Sequence, residues 1–307
     1  MRPVEILDRL YFIERGYLNA NHFVYVCSEP VLIDTAYVGD LDKTRQVITN
    51  LGLDPAQIRL IISTHCHCDH IGGNRFIQQM SGCDIAVHKI GKHFIDTRDD
   101  WSTWWRYYNQ QADFFNCTHE LNDGDSILIG PHEFRVIYTP GHASDGIVLY
   151  HPKNRILISS DTLWEKDTAV MTVRVEGSAT LYRMLESFDK IESLDVGTVY
   201  PGHGQPFAGF KTALARGRKK IESLIGNREL IGLDLLKKIT VYTLLMRQSI
   251  AENEFYALLM ETIWFRETVD HYFDGEYELK YNEILQHFID RGIIKRRHGK
   301  FITVVKP

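Results

Sequence analysis

"STHCHCDHIGGN", residues 63–74, places three histidines, two cysteines and an aspartate in six consecutive positions. Each of these side chains is a metal-ligand type, yet six adjacent residues cannot converge on one ion. The preceding residues supply the frame. "IRLIIST" (58–64) is a continuous apolar run of strand length, the mark of a strand covered on both faces. Side chains alternate along a strand, so His65 and His67 are expected on one side and Cys66 and Cys68 on the other. Asp69 and His70 fall where the chain bends into Gly72-Gly73, and they approach from another direction. The run is therefore able to serve two neighbouring ions, one through 65 and 67 and another through 69 and 70. Imidazole and carboxylate donors suit zinc, iron or manganese, with zinc the commonest choice for hydrolysis. The cysteines are read as small side chains packing behind the ligands.

The same grammar recurs on either side. "LYFIERGY", "HFVYVCS" and "PVLIDTAY" read as short strands, and "DKTRQVITNLGL" (42–53) has helical spacing closed by Gly52. "NRFIQQM" reads as a helix and "DIAVHK" (84–89) as a strand. "EFRVIYTPGH" (133–142), "NRILISSDT" (154–162) and "VGTVYPGHG" (196–204) are strands that end at His142, Asp161 and His203. "SATLYRMLESFDKIESL" (178–194) between the last two is a helix, so the arrangement is α/β, sheets with helices outside. Metal-type side chains thus follow four apolar strands, and the carboxyl ends of strands are where sites form in α/β proteins. From about residue 209 helical segments take over. The stretch 281–307 reads helix, glycine stop, strand, basic turn, strand, the closing half of a winged-helix module. Two domains are expected, 1–208 carrying the metal-type residues and 209–307 helical and winged-helix-like.

Composition narrows the function classes. With 44% hydrophobic and 24% charged residues and a net charge of −5, the 307-residue chain is globular and not built mainly to grip nucleic acid. Five cysteines without pairing density fit a reducing compartment. The N-terminal residues lack a signal-peptide core and no apolar run reaches membrane-spanning length, so a cytoplasmic address is expected.

"THCHCDHIGG", "TPGHASDG", "SSDTL" and "YPGHG", preceded by "LIDTA" (32–36), resemble in order the motifs of the metallo-β-lactamase-fold hydrolases. The likeness is to the glyoxalase II, lactonase and short ribonuclease-like members, and it implies an αββα sandwich. It also implies that His65, His67 and His142 bind one metal, that Asp69, His70 and His203 bind a second, and that Asp161 bridges them. Asp34 would orient the ligand loop from behind. The cofactors implied are two divalent ions, zinc ahead of iron or manganese. The reaction implied is attack of metal-bound hydroxide, oriented by Asp69, on an ester, thioester or lactone. Histidine at 67, where the flavodiiron members carry a carboxylate, favours hydrolysis. Phosphodiester or RNA cleavage is the alternative. Behind it stand a mononuclear iron persulfide dioxygenase and a nucleic-acid-binding regulator with a vestigial site. A small-molecule substrate and an optional homodimer complete the expected partners.

Four further features are weighed. "DDWSTWWRYYNQQADFFN" (99–116) holds seven aromatic residues and reads as an amphipathic helix packed at the domain interface. Its second reading is a cap over the metal cleft, with Trp104, Trp105, Tyr107 and Tyr108 facing an apolar acyl group. His22, in "NANHF", is a candidate for the pocket edge, whereas His88 and His93 are read as structural. "RGIIKRRHGK" (291–300) is read as a solvated basic turn.

Overall fold

The computed structural model describes residues 2–307. Seven strands form the first sheet in sequence order: β1 (Val4–Leu7), β2 (Leu10–Ile13), β3 (His22–Tyr25), β4 (Val31–Ile33), β5 (Leu60–Ile62), β6 (Asp84–His88) and β7 (His119–Leu121). Neighbours from β1 to β4 are antiparallel and those from β4 to β7 parallel. The second sheet contains β8 (Ser126–Ile129), β9 (His132–Tyr138), β10 (Ile147–His151), β11 (Ile156–Ser160) and β12 (Thr198–Pro201), ordered 12-11-10-9-8.

Alternation along these strands builds three apolar layers. Phe23, Ile33 and Ile62 meet Phe134, Val136 and Leu149 between the two sheets. Their neighbours Val24, Leu32 and Ile61 point the other way, beneath Val47, Ile48 and Ile77 of the helices Leu41–Asn50 and Asn74–Ser81. Ile137, Val148 and Leu157 cover the outer face of the second sheet against Met184 and Phe188 of the helix Thr180–Glu192. Fully burying a side chain of Phe188's size is worth about 2–3 kcal/mol relative to leaving it exposed. The result is the four-layer αββα sandwich.

The compositional change at 209 meets a helix, Phe210–Gly226, that still packs on the second sheet through Phe210, Leu214 and Ile221. A separate core forms later, from the helices Arg228–Arg247, Phe255–Glu261, Ile263–Phe273 and Tyr277–Asp290. Beside them lie the short strands β13 (Ile250–Ala251), β14 (Ile294–Arg297) and β15 (Lys300–Thr303), ordered 13-15-14. Packing therefore changes at about residue 227, whereas residue 209 marks the change of secondary structure. Among the described residues, no helix is long and apolar enough to cross a membrane.

The aromatic segment departs from expectation. Only Trp105–Tyr108 form a helical turn, because Trp104 (φ 72°) and Asn109 (φ 56°) both adopt left-handed backbone and break the helix at each end. Trp104, Tyr107 and Tyr108 join the core of the C-terminal helices.

Candidate metal centre

The strand before the opening motif stops at Ile62, so residues 63–67 are loop and Cys68–Ile71 a single helical turn. Strand alternation does not reach the ligands, yet the two sets still separate. His65 and His67 turn inward, and Asp69 and His70 arrive from the helical turn. The glycines serve a purpose other than bending: Gly72 (φ −60°) and Gly73 (φ −91°) have ordinary helical backbone. A Cβ on Gly72 would lie 2.1 Å from the Val38 backbone nitrogen, so the residue is glycine because two backbones touch there.

Seven side chains from four loops converge. His65, His67 and His142 form one set, Asp69, His70 and His203 another, and Asp161 joins His65 and His70 in a third; within each set the ligand atoms lie within 4.8 Å of one another. All seven are buried. Their outward hydrogen bonds choose the tautomers. The His70 Nδ1–H donates to Asp34 Oδ2 at 2.8 Å, and Asp34 is pinned by the Thr64 N–H and hydroxyl, both at 2.8 Å. The His142 Nδ1–H donates to the Val170 carbonyl (2.8 Å) and the His203 Nδ1–H to the Gly16 carbonyl (2.9 Å). The His67 Nε2–H donates to Glu176 Oε1 at 3.2 Å.

Inward, the Nε2 atoms of His65, His70 and His203 are buried without a well-aligned hydrogen bond, although His203 Nε2 lies 3.2 Å from Asp69 Oδ2 and His70 Nε2 lies 3.6 Å from Asp161 Oδ2. His67 Nδ1 and His142 Nε2, both left as lone pairs, face each other at 3.0 Å. A cluster of unpaired, inward-facing imidazole nitrogens beside two carboxylates is costly unless a cation sits among them. The donor set fits metal ions of the zinc, iron or manganese type.

The charges agree. Burial and the neighbouring imidazoles push His65 and His67 well below the ordinary histidine range, which keeps them neutral and able to bind metal. Burial also lowers His142, against Asp161. At His70 burial pulls down, but Asp34, Asp161 and Asp69 outweigh it. At Asp161 burial pushes up, but His203, His70 and His142 hold the carboxyl well below its usual range.

Several expected neighbours lie elsewhere. His22 begins β3 opposite Ile13; Phe23 and Tyr25 enter the core between the sheets, so alternation puts His22 with Val24 on the helix-covered face. Trp105 packs on Phe114, with ring centroids 4.1 Å apart, away from the ligands. Tyr107 and Tyr108 are buried in the core of the C-terminal helices, and the Tyr108 hydroxyl is engaged by Thr172. Trp104 alone of that group reaches the centre, stacked on His67 with centroids 3.6 Å apart and rings 25° from parallel. Cys66 sits in the outer core with its N–H donating to Asp145, and the Cys68 thiol meets Gln110, so neither joins a ligand set. His88 stacks on Tyr138 (4.2 Å), as a structural residue would.

Four residues near the centre had no signal in the sequence. Glu176 gathers donors behind His67. Tyr17 packs edge-on to Tyr242 (5.1 Å), and the Tyr242 hydroxyl donates to Asp69 Oδ2 at 3.1 Å. Trp164 lies 5.2 Å from the His203 ring, and its Nε1–H donates to Asp161 Oδ1 at 3.2 Å. Tyr17, Trp164 and Tyr242 are partly exposed, whereas Trp104 is buried, so the centre approaches solvent on the His203 side. The cavity against His65, His142 and Asp161 is only about 10 Å³.

Donors gathered from four loops at one edge of two stacked sheets define a metal-centre protein of the αββα sandwich class. The chain belongs to the metallo-beta-lactamase superfamily, whose family profile matches residues 19–203, more than half of the sequence. It is 27% identical over 195 residues to a hydroxyacylglutathione hydrolase of Francisella tularensis subsp. novicida, covering 63% of this chain and 66% of that one. It is 25% identical over 179 residues to the beta-lactamase-like protein 2 homolog of Caenorhabditis elegans, covering 58% of this chain and 52% of that one. The match spans less than two thirds of the length of either relative. A metallo-beta-lactamase family protein from Thermus thermophilus shares the fold over 97% of this chain and 100% of its own, with a TM-score of 0.60 at 19% identity. A subclass B3 metallo-beta-lactamase of Bradyrhizobium japonicum gives 0.59 at 16% identity, over 74% of this chain and 94% of that one.

Proposed function

We propose that the chain is a metal-dependent hydrolase with two ions, acting on an ester, thioester or lactone. The observation that carries this reading is the set of unpaired nitrogens on His65, His70 and His203, turned toward Asp69 and Asp161. His65, His67 and His142 would hold one ion and Asp69, His70 and His203 the other, with Asp161 between them. Ions held there would supply Lewis acidity and would lower the pKa of a bound water to about 7.

The chain's own residues do the rest. Asp34 and Glu176 set the tautomers of His70 and His67, so the ligand nitrogens are presented without reorganisation. Burial opposes ionisation of Asp69, but His70 and His203 hold the carboxyl below its usual range, so it remains an acceptor able to orient the attacking water. Tyr242 fixes one oxygen of that carboxylate. Tyr17, Trp164 and Tyr242 stand on the partly exposed side of the centre, and their rings offer apolar surface to an acyl group. The Francisella relative is named for an acylated glutathione, which makes an acyl thioester the first member of the substrate class to try.

The test combines metal analysis with a panel of thioesters, lactones, phosphodiesters and RNA, using His67→Ala and Asp161→Ala as controls. Two ions per chain and thioester or lactone turnover abolished in both variants are expected. At most one ion, with no metal-dependent hydrolysis across the panel, overturns the reading.

A further inference from the structure

Glu176 belongs to none of the motifs that carry the ligands. It ends the single helical turn Val173–Glu176, just before Gly177, and its side chain is 3% exposed. Four donors meet its two oxygens. Oε1 accepts from the His67 Nε2–H at 3.2 Å and the Trp104 Nε1–H at 3.0 Å. Oε2 accepts from the Ser144 backbone N–H at 2.8 Å and the Ser144 hydroxyl at 2.6 Å. Those donors come from three separate segments: the loop of His67, the broken aromatic segment, and the loop that carries His142. Burial raises this carboxyl to about 8 against the pull of the Ser144 and Trp104 donors, and a carboxyl group so placed performs two tasks at once. It fixes the proton on His67 Nε2, leaving Nδ1 as the free donor atom opposite His142 Nε2. It also holds the Trp104 indole flat against that imidazole, which explains why so bulky a residue occupies left-handed backbone.

We propose that Glu176 is the positioning residue of the first metal set, fixing the tautomer of His67 and clamping Trp104 and the His142 loop around it. The inference rests on the two-ion reading above. It predicts a selective effect, because Asp69, His70 and His203 make no contact with Glu176 among the hydrogen bonds of this structure, whereas His67 does.

The full-length protein is loaded with zinc, and each ion is withdrawn by competition with a chromogenic chelator. Tryptophan emission is followed in parallel. Glu176→Ala should release one ion about 10–100-fold more readily and leave the other within about threefold of the wild type, the usual penalty for losing a partner behind a ligand. Glu176→Gln keeps an oxygen for His67 and Trp104 but turns an NH2 toward the Ser144 N–H, so it should restore only part of the lost affinity. Side-chain nitrogen NMR of the wild-type protein gives a measurement independent of any variant: His67 should carry its proton on Nε2 both with and without zinc.

Unchanged affinity at both sites in Glu176→Ala, an equal loss at both, or a proton on His67 Nδ1 in the wild type overturns the proposal. If Glu176→Ala fails to fold, the wild-type NMR result decides. A wild-type protein that binds fewer than two ions refutes the two-ion reading itself, which is a different outcome from a variant that binds both normally.

Discussion

Asp34→Asn separates the chemistry of a carboxylate from its shape. Asp34 has left-handed backbone (φ 57°), which asparagine tolerates as well as aspartate, so the exchange is free of backbone strain. Oδ1 receives the Thr64 N–H and survives as the amide oxygen. Oδ2 receives the His70 Nδ1–H and the Thr64 hydroxyl, and this position becomes an NH2 that donates. Two donors then face each other in a buried place. Either one stays unsatisfied, at about 1–3 kcal/mol, or His70 moves its proton to Nε2, the nitrogen 3.6 Å from Asp161 that the second ion needs. Loss of a carboxylate behind a metal-binding histidine costs about 10–100-fold in affinity, or about 1.4–2.7 kcal/mol, which falls inside the first range. The expected result is a drop of that size at one site only, since His67 and His142 make no hydrogen bond to Asp34. Stepwise chelator competition measures it, with a thermal melt to confirm the fold. Equal loss at both sites, or none, would refute the tautomer argument.

Three other perturbations test separate parts of the structure. Tyr242→Phe removes a hydrogen bond to an ionised carboxylate, worth about 1.5–3 kcal/mol, so kcat should fall about 10-fold or more while both ions remain; unchanged kcat would place Tyr242 outside the reaction. Gly72→Ala sets a methyl 2.1 Å from backbone and should cost more than about 4 kcal/mol or yield no soluble protein, whereas Gly82→Ala, with open space around a φ of 69°, should cost about 1 kcal/mol by denaturant titration. His88 is lowered from 6.5 to about 4 by burial and by Lys89 and Lys190, so the unfolded chain takes up its proton first as pH falls. Stability is then complete above about 6.5 and declines between about 6.5 and 4, by about 1–2 kcal/mol after allowance for screening. His88→Phe, which keeps the stack on Tyr138, should flatten that decline in urea midpoints taken at pH 7.5 and 4.5.

The residues that converge on the candidate centre were legible because they follow apolar strands, and the information lies within a dozen residues of the chain. Asp34, His65, His142, Asp161 and His203 all share that local grammar. Glu176 does not. Its partner His67 is 109 residues away, and the turn Val173–Glu176 is too short to carry a periodic signal. Tyr242 is 173 residues from Asp69 and sits on a helix, Arg228–Arg247, that is buried on several sides. Apolar periodicity there reports packing only, and the polar residues Asp234, Lys238 and Tyr242 at fourfold spacing carry no local sign of what they face. The aromatic stretch misled for the converse reason. Its spacing suited a helix, but Trp104 is held out of helical backbone by contacts to His67 and Glu176 that only the folded chain provides.

These two kinds of residue divide the work of the centre. The strand-end residues make the donor set, and the distant ones decide how the donors are presented: Glu176 aims His67, and Tyr242 holds Asp69. The helices after residue 227 are therefore part of the centre and not an appendage beside it. Tyr242 reaches Asp69 from one of them. The Lys238 ammonium on the same helix donates to the Thr168 carbonyl at 2.6 Å, fastening the segment between Trp164 and Glu176. A single helix thus touches the second metal set directly and steadies the chain that leads to the positioning residue of the first. Displacing this helix as a whole should alter both sets together, whereas a change at Asp34 or Glu176 alters one. That contrast follows from connectivity alone, and neither the motifs nor the sandwich would predict it.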